Sequence, residues 1–312
     1  MTPDLLPCTH MRWLIVTLAV VAAWAQDFSV TPASLRQGET LRVRAPKEIP
    51  GARLNGFTIP LFPQPDGTSF GLMPVKVDEK PGAYQLEFLD KAGAVAHTAT
   101  VTVADAHYPK QNIVLSTALT ELKPTPDEGP TVREFLKQAT PVRFWSEPLR
   151  VPVTGCMTSL YGVARLHNGQ PTGDHHMGID QRAAMGAPIR AAAAGTVRLA
   201  RQFGLRGGTV GIDHGQGLES MYLHMSKVAA VEGTQVQAGD VIGYAGSTGR
   251  STAPHLHWSV YANGVPVNPL QWVRVASCGA GQPSAAGGRK RRAVNPPPGA
   301  AGSPSAPKVP SR

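Results

Sequence analysis

The sequence has few cysteines, no apolar run long enough to cross a membrane and, after residue 150, no stretch with a helical hydrophobic period. Cys156 and Cys278 lack the spacing typical of metal ligands, which excludes a cysteine-ligated metal site. The apolar run at residues 13–23 is shorter than the roughly 20 residues of a membrane-spanning helix. These absences leave a chain whose structure must be mainly β.

What the sequence has in abundance supports β structure. Among 312 residues there are 33 Gly and 29 Pro, which are typical of turn-rich chains, and the length fits two domains at about 150 residues each. The net charge of +9 is uneven, because residues 279–312 contain six basic and no acidic residues and the rest carries +3. We therefore expect no specific nucleic-acid partner for the folded part of the chain.

The N-terminal segment resembles an export signal. Arg12 precedes the apolar run, and a small-x-small sequence at residues 23–25 fits a cleavage site. Residues 1–25 are predicted to be a signal peptide, with Met11 as the true start, no lipid anchor and no transmembrane anchor after cleavage. Export to the periplasm, the cell envelope or the exterior permits a disulfide between Cys156 and Cys278, although two free thiols fit equally well.

Four regions follow the signal. Residues 26–106 alternate apolar and polar side chains between turn signals and predict a small β-sandwich-like domain of immunoglobulin type, either a spacer or a guide for a large substrate. Residues 107–150 predict a connector with a short helix at 131–137, capped by Thr131 and Glu134. Residues 151–278 predict an antiparallel β domain with strands near 188–191, 195–199, 209–212, 218–222, 234–236, 241–244 and 256–261. Residues 279–312 predict a disordered tail whose basic run is either solvated or attracted to an anionic polymer.

The histidines indicate chemistry. Seven of the ten lie between His167 and His257. His255 and His257 share one face of a predicted strand, and His176 and Asp180 share a face at a spacing of four. Two imidazoles and a carboxylate match a catalytic zinc site, in which three protein ligands leave one position for water.

Several ordered motifs resemble the lysostaphin/LytM-type zinc metallopeptidases. They are MGID at 177–180 after His176, GTVGIDHG at 208–215, YLHMS at 222–226, GDVIG at 239–243, GSTGRS at 246–251 and PHLH at 254–257. The resemblance implies that His176, Asp180 and His257 bind one Zn²⁺, and that His224 and His255 are non-ligand histidines of the active site. It also implies a substrate, the peptide stems or cross-bridges of bacterial peptidoglycan.

We expect these two histidines to transfer the proton, because the sequence has no H-E-x-x-H motif and so lacks the glutamate that acts as the base in sites of that type. We expect His255 to help deprotonate the water and His224 to hydrogen-bond the oxyanion, with the two roles exchangeable. His175, His214 and His167 are predicted to face solvent, and Tyr161 to line the substrate groove. The sequence thus predicts an exported zinc metalloendopeptidase that hydrolyses D-alanyl or glycyl bonds of peptidoglycan; the alternative is a non-catalytic binding module or activator of other cell-wall hydrolases.

Overall fold

The computed structural model describes residues 28–278, which are nearly all β. The predicted signal peptide and tail lie outside these residues. Two short α-helices, α1 (Thr117–Glu121) and α2 (Glu128–Phe135), and a 3₁₀ turn (Pro269–Gln271) interrupt the strands. None of the helices in this part of the chain is long and apolar enough to cross a membrane. The all-β fold class predicted from turn signals and alternation is confirmed.

The first part of the chain forms two sheets. The strands are β1 (Ser29–Thr31), β2 (Ser34–Arg36), β3 (Thr40–Pro46), β4 (Gly51–Leu54), β5 (Phe57–Pro60), β6 (Phe62–Pro63), β7 (Thr68–Pro74), β8 (Gly82–Leu89) and β9 (Val95–Ala104). One sheet has the order β1-β3-β7-β6 and the other β2-β9-β8-β4-β5. Alternate residues of both sheets, including Leu41, Val43, Leu86 and Phe88, are fully buried in one hydrophobic core.

The rest of the strands build the second part. They are β10 (Lys110–Ile113), β11 (Met157–Ser159), β12 (Ala164–His167), β13 (Gln170–His175), β14 (Ile179–Arg182), β15 (Pro188–Arg190), β16 (Gly195–Gln202), β17 (Gly208–Gly215), β18 (Leu218–Met225), β19 (Lys227–Val228), β20 (Gln235–Val236), β21 (Val241–Tyr244), β22 (His255–Ala262) and β23 (Val265–Val267). Each of the seven strands predicted after residue 187 is present. The hairpin β12–β13 was not predicted, because its sequence is polar and lacks clear alternation.

An eight-stranded sheet dominates this part. Its order is β11-β14-β22-β18-β17-β16-β20, with β23 paired to β22, and every pairing is antiparallel. β17 and β18 are buried along their whole length, so both of their faces are covered. A smaller sheet has the order β15-β21-β19, and a third joins β10, β12 and β13. In the third sheet β10 and β12 run parallel, a departure from the predicted antiparallel pattern.

The segment predicted as a connector packs on the second part. Its helix spans Glu128–Phe135, so Thr131 lies inside it and the predicted N-cap is wrong. Val132 and Phe135 pack against Leu199, Phe203 and other buried residues of the large sheet. The N-cap is instead Asp127, whose side chain makes no capping hydrogen bond, and the Glu128 carboxylate accepts a hydrogen bond from the Thr125 amide at 3.3 Å.

Specific contacts join the two parts of the chain. The Arg42 guanidinium donates two hydrogen bonds of 2.7 Å to the Glu147 carboxylate, and its Cζ atom lies 4.7 Å from the centroid of the Trp272 ring. The Thr40 amide donates to Gln271 Oε1 at 2.8 Å, and Asn263 Nδ2 donates to the Leu72 carbonyl at 2.7 Å. These polar contacts surround a buried apolar cluster, so the first part forms a packed support for the second.

Cys156 and Cys278 are bonded to each other, with Cα atoms 5.0 Å apart. The pairing that the sequence left open is therefore a disulfide. It joins the start of β11 to the end of the described chain, where the Cys278 amide donates to the Met157 carbonyl at 2.8 Å. Since β11 pairs with β14, this link supports the edge of the sheet that carries Asp180.

Candidate active site

The three residues predicted to bind zinc lie together. Asp180 in β14 pairs directly with His257 in β22, while His176 lies just before β14. His176 Nε2 is 3.0 Å from Asp180 Oδ1 and 2.9 Å from His257 Nδ1, and His257 Nδ1 is 3.0 Å from Asp180 Oδ1. Among residues 28–278 this is the single group of His, Cys, Asp or Glu donors close enough to hold a metal ion. The spacing of four and the H-x-H motif thus bring three donors to one point.

Hydrogen bonds on the far sides of both rings orient the donors. His176 Nδ1 is 2.7 Å from the Leu160 carbonyl, which only accepts, so this nitrogen carries the proton and Nε2 presents a lone pair. His257 Nε2 is 2.9 Å from Ser259 Oγ, which leaves Nδ1 directed at the cluster. Two imidazole lone pairs 2.9 Å apart repel each other unless a cation lies between them. A zinc ion with bonds of 2.0–2.1 Å holds tetrahedral ligands about 3.3 Å apart, so the donor set fits zinc after shifts of a few tenths of an ångström.

Gly178 is required by the close approach of two strands. A Cβ atom there would lie 2.6 Å from the Trp258 carbonyl oxygen and 2.7 Å from His257 Nε2. Both distances are shorter than any van der Waals contact, so any larger residue would displace β14 from β22 or rotate the His257 ring. Gly178 is therefore a spacer that leaves room for the donor cluster.

The surroundings of the cluster favour the ionised form of Asp180 and the neutral form of His257. Burial by itself raises the pKa of Asp180, but the charges and hydrogen bonds of His176 and His257 hold it well below its ordinary value. Burial lowers the pKa of His257 to about 4, although Asp180 opposes this shift. A metal ion needs these same protonation states, an anionic carboxylate and unprotonated imidazole nitrogens.

His224 lies at the end of β18 in an unusual backbone conformation. Its φ of 63° is in the left-handed region, which is uncommon for residues other than glycine and is found where surrounding structure enforces it. Its amide donates to the Arg206 carbonyl at 3.0 Å, and its Nδ1 is 2.8 Å from the Thr248 carbonyl. Burial, with the nearby His255 and His257, lowers the pKa of His224 to about 3. The ring is therefore neutral near pH 7, with an unprotonated Nε2.

His255 stands beside His224 at the start of β22. The ring centroids are 4.9 Å apart, and His255 Nε2 lies 3.8 Å from Asp180 Oδ1. Its Nδ1 is 2.7 Å from the Ala253 carbonyl and donates to it, so Nε2 is the ring nitrogen that faces the cluster. The side chain of His255 is 19% exposed, compared with 14% for that of His257. Both predicted non-ligand histidines thus border the donors.

These residues line a groove with a cavity of about 410 Å³. The hairpin β12–β13 and the end of β10 form one wall, and the turn at Leu205 and Arg206 with residues 250–252 forms the other. His167 and His175 are half-buried in the first wall, so the prediction that they face solvent is wrong. Neither belongs to the donor cluster.

Two further sequence predictions are also wrong. His214 is fully buried in β17, with Nδ1 2.8 Å from the Ala194 carbonyl and Nε2 2.7 Å from Ser220 Oγ. The strand continues through Gly215, and the turn is limited to Gln216 and Gly217. Tyr161 is buried away from the groove, where its hydroxyl donates to the Pro266 carbonyl at 2.9 Å.

The sequence reasoning missed residues that shape the groove from a distance. Glu128 is completely buried and accepts hydrogen bonds from the amides of Leu205 and Arg206 at 3.0 and 3.1 Å. Its Oε1 also accepts from the Arg206 guanidinium at 2.7 Å. On the other wall, Arg165 in β12 donates to Asp180 of the donor cluster, and Gln111 in β10 accepts a hydrogen bond from Arg165. No local pattern marks these polar residues, since their partners are distant in the sequence.

The fold and donor set define a β domain with three clustered side chains that could hold a metal ion. Residues 174–269 match the model of Peptidase family M23. DD-carboxypeptidase/endopeptidase Mpg of Neisseria meningitidis serogroup B is 45% identical over 106 residues, which are 34% of this chain and 24% of that relative. Peptidoglycan DD-endopeptidase ShyA of Vibrio cholerae serotype O1 is 35% identical over 115 residues, 37% of this chain and 27% of the relative.

A crystal structure from Pseudomonas aeruginosa described as a peptidase M23 superposes with a TM-score of 0.57 at 29% identity, covering 76% of this chain and 93% of that chain. This chain therefore carries an M23 peptidase domain, as its resemblance to the lysostaphin/LytM-type enzymes implied. It spans about a quarter of the length of the two curated relatives.

Proposed function

We propose that this protein is an exported zinc metalloendopeptidase that hydrolyses peptide bonds in bacterial peptidoglycan. The observation that carries the proposal is the convergence of His176 Nε2, Asp180 Oδ1 and His257 Nδ1 at the floor of an open groove. Three donors with an accessible fourth side are typical of catalytic zinc, whereas structural zinc sites are closed by four protein ligands. The M23 match and the activities for which the relatives are named support the same substrate class.

In this proposal zinc, when bound, lowers the pKa of water to about 7 and polarises a carbonyl group. The chain's own residues must then move the proton. His255 and His224 each fix Nδ1 on a backbone carbonyl and offer Nε2 as the acceptor. We assign proton uptake to His255, because its protonated ring would lie 3.8 Å from the Asp180 carboxylate, whereas the lowered pKa of His224 opposes its protonation.

His224 then keeps the role of positioning the reacting groups. To donate a hydrogen bond to an oxyanion, its Nε2 must first receive a proton, since Nδ1–H is committed to the Thr248 carbonyl. The negative charge that develops on the oxyanion favours this protonation despite the lowered pKa of His224, and the proton passed from His255, whose ring centroid is 4.9 Å away, goes on to the leaving amine. The pH dependence of kcat in His224→Gln and His255→Gln distinguishes this assignment from the one in which the two histidines exchange roles. If His255 takes up the proton, only its replacement should remove the ionisation on the acidic side of the profile.

The test of the proposed function is digestion of purified peptidoglycan with the zinc-loaded protein, with and without a chelator. Mass analysis of the fragments identifies the new ends, and we expect cleavage of D-alanyl cross-links, in line with the names of the relatives. New glycyl ends would instead assign the bond to a glycine bridge. His255→Ala loaded with zinc is the matched control. Absence of chelator-sensitive cleavage, together with tight binding to peptidoglycan, would favour the alternative of a non-catalytic module.

A further inference from the structure

The donor cluster has a second layer of contacts that comes from outside the residues matched by the family model. Asp180 directs Oδ1 to the two histidines, while its Oδ2 accepts a hydrogen bond from Arg165 Nη2 at 3.1 Å. The side chains of Arg165 and Asp180 are only 11% and 15% exposed. The guanidinium therefore occupies one carboxylate oxygen and leaves the other for the cluster.

Arg165 is itself held by a residue from the predicted connector. Its Nη1 donates to Gln111 Oε1 at 2.6 Å, and Gln111 lies in β10, directly opposite Arg165 in the parallel pairing of β10 with β12. The backbone register thus places the amide oxygen where it fixes the guanidinium plane.

The same amide oxygen reaches the His176 side of the cluster. Gln111 Oε1 also accepts a hydrogen bond from Ser159 Oγ at 2.9 Å, and Ser159 Oγ lies 3.4 Å from His176 Nδ1. The Nδ1 proton points mainly at the Leu160 carbonyl at 2.7 Å, so the serine hydroxyl is a longer, second neighbour of this ring. One glutamine in β10 is therefore connected through Arg165 to Asp180 and through Ser159 to His176.

We propose that Gln111 and Arg165 are positioning residues that hold Asp180 as a one-oxygen ligand and thereby set the affinity and coordination number of the metal site. This inference rests on the proposed zinc site. Groups that orient metal ligands from behind typically contribute 10- to 100-fold in metal affinity. A guanidinium also repels a divalent cation, so its removal has two opposing effects, and the proposal requires that the loss of orientation outweighs the loss of repulsion.

The experiment measures Zn²⁺ affinity by competition with a chromophoric chelator and records the visible spectrum of the Co²⁺-substituted full chain. Gln111→Ala changes no charge, so we expect a 10- to 100-fold weaker affinity and a weaker cobalt absorption as Asp180 turns to bind through both oxygens. Arg165→Lys keeps the charge but loses the planar fork, and the same direction of change is expected. Lys110→Ala, an exposed neighbour in β10, is the control and should match the unmodified protein.

Every outcome of these measurements either supports or contradicts the inference about Gln111 and Arg165. Affinity within twofold of the unmodified protein and an unchanged cobalt spectrum in Gln111→Ala would overturn the inference. So would tighter binding in Arg165→Gln, since it would mean that Arg165 acts only through its charge. If the unmodified protein and Lys110→Ala bind no zinc, the proposed function itself fails. Circular dichroism of the metal-free variants separates a local effect from failure to fold, and Arg165→Lys keeps the test open if Gln111→Ala unfolds.

Discussion

Glu128 offers a quantitative test of how the segment before the peptidase domain shapes the groove. Its side chain is completely buried, and its two carboxylate oxygens accept hydrogen bonds from three backbone amides, those of Thr125, Leu205 and Arg206, and from the Arg206 guanidinium. The turn held in this way supports His224, a histidine of the proposed active site, because the Arg206 carbonyl accepts the amide proton of His224. Replacing Glu128 by alanine should therefore affect both stability and activity.

The magnitude follows from what the substitution leaves unpaired. Breaking a buried ion pair costs about 3–5 kcal/mol, and each buried amide without an acceptor costs about 1–3 kcal/mol. Arg206 keeps 34% of its side-chain surface exposed and regains water, so the lower end applies. We expect Glu128→Ala to lower the free energy of unfolding by about 3 kcal/mol, which for a chain of this size corresponds to roughly 6 °C in Tm.

The assay is urea unfolding of the zinc-loaded protein with the disulfide intact, together with kcat/KM on a cross-linked peptide. Glu134→Ala is the matched control: Glu134 lies in the same helix, is 69% exposed and faces Lys137 at 3.5 Å, so about 0.5 kcal/mol or less is expected. Zinc content should stay the same while kcat/KM falls, since none of the donors is touched. If both variants unfolded at the same urea concentration, the buried carboxylate would not have the role inferred from its contacts.

Three further outcomes are expected. Burial lowers the pKa of His214 to about 4, so as the pH falls this histidine is protonated in the unfolded chain before it is protonated in the folded one. The free energy of unfolding should therefore decrease by roughly 3 kcal/mol between about pH 6.5 and pH 4. Urea titrations of the zinc-free protein should show a smaller decrease in His214→Asn. A variant with both Cys156→Ser and Cys278→Ser should lose up to about 5 kcal/mol of its free energy of unfolding, because the disulfide closes a loop of 122 residues. The unmodified protein with its disulfide reduced should show the same loss. A variant whose free energy of unfolding stayed within about 1 kcal/mol of that of the oxidised protein would contradict this expectation. Gly178→Ala should abolish zinc binding, measured with a chelator dye, whereas Gly129→Ala in α2 should leave it intact.

The parts of the site that sequence reasoning predicted are those in which spacing along one strand determines position. In β22 the alternation of faces places His255 and His257 on one side, and the H-x-x-x-D spacing brings His176 to the same point as Asp180. Likewise, most strands of the large sheet were predicted from apolar alternation and turn residues. These signals are local, so no knowledge of the partner strands was needed.

The predictions from sequence were wrong where packing against distant parts of the chain determines the conformation or the exposure of a residue. The sequence around His214 is rich in glycine and polar residues, which are typical of a turn, yet β17 lies between two strands and is covered on both faces. His167 and Arg165 occur in a polar hairpin that only the parallel pairing with β10 makes into a wall of the groove. Buried polar partners such as Glu128 and Arg206, 78 residues apart, leave no periodic trace in the sequence.

The contacts argue that the functional unit extends beyond the residues that match the peptidase family. The proposed ligands lie within residues 174–269, but the groups that contact them or hold the groove, namely Gln111, Glu128 and Arg165, all precede residue 174. The disulfide joins Cys156 to Cys278, which lie on opposite sides of the matched range. A metal site gains its affinity from donors that are already held in place, because otherwise the binding energy is spent on ordering them. The segment that the sequence indicated as a connector is therefore part of the structure that holds the proposed metal ligands in place. We expect a chain that lacks this segment to differ from the full chain first in its affinity for the metal.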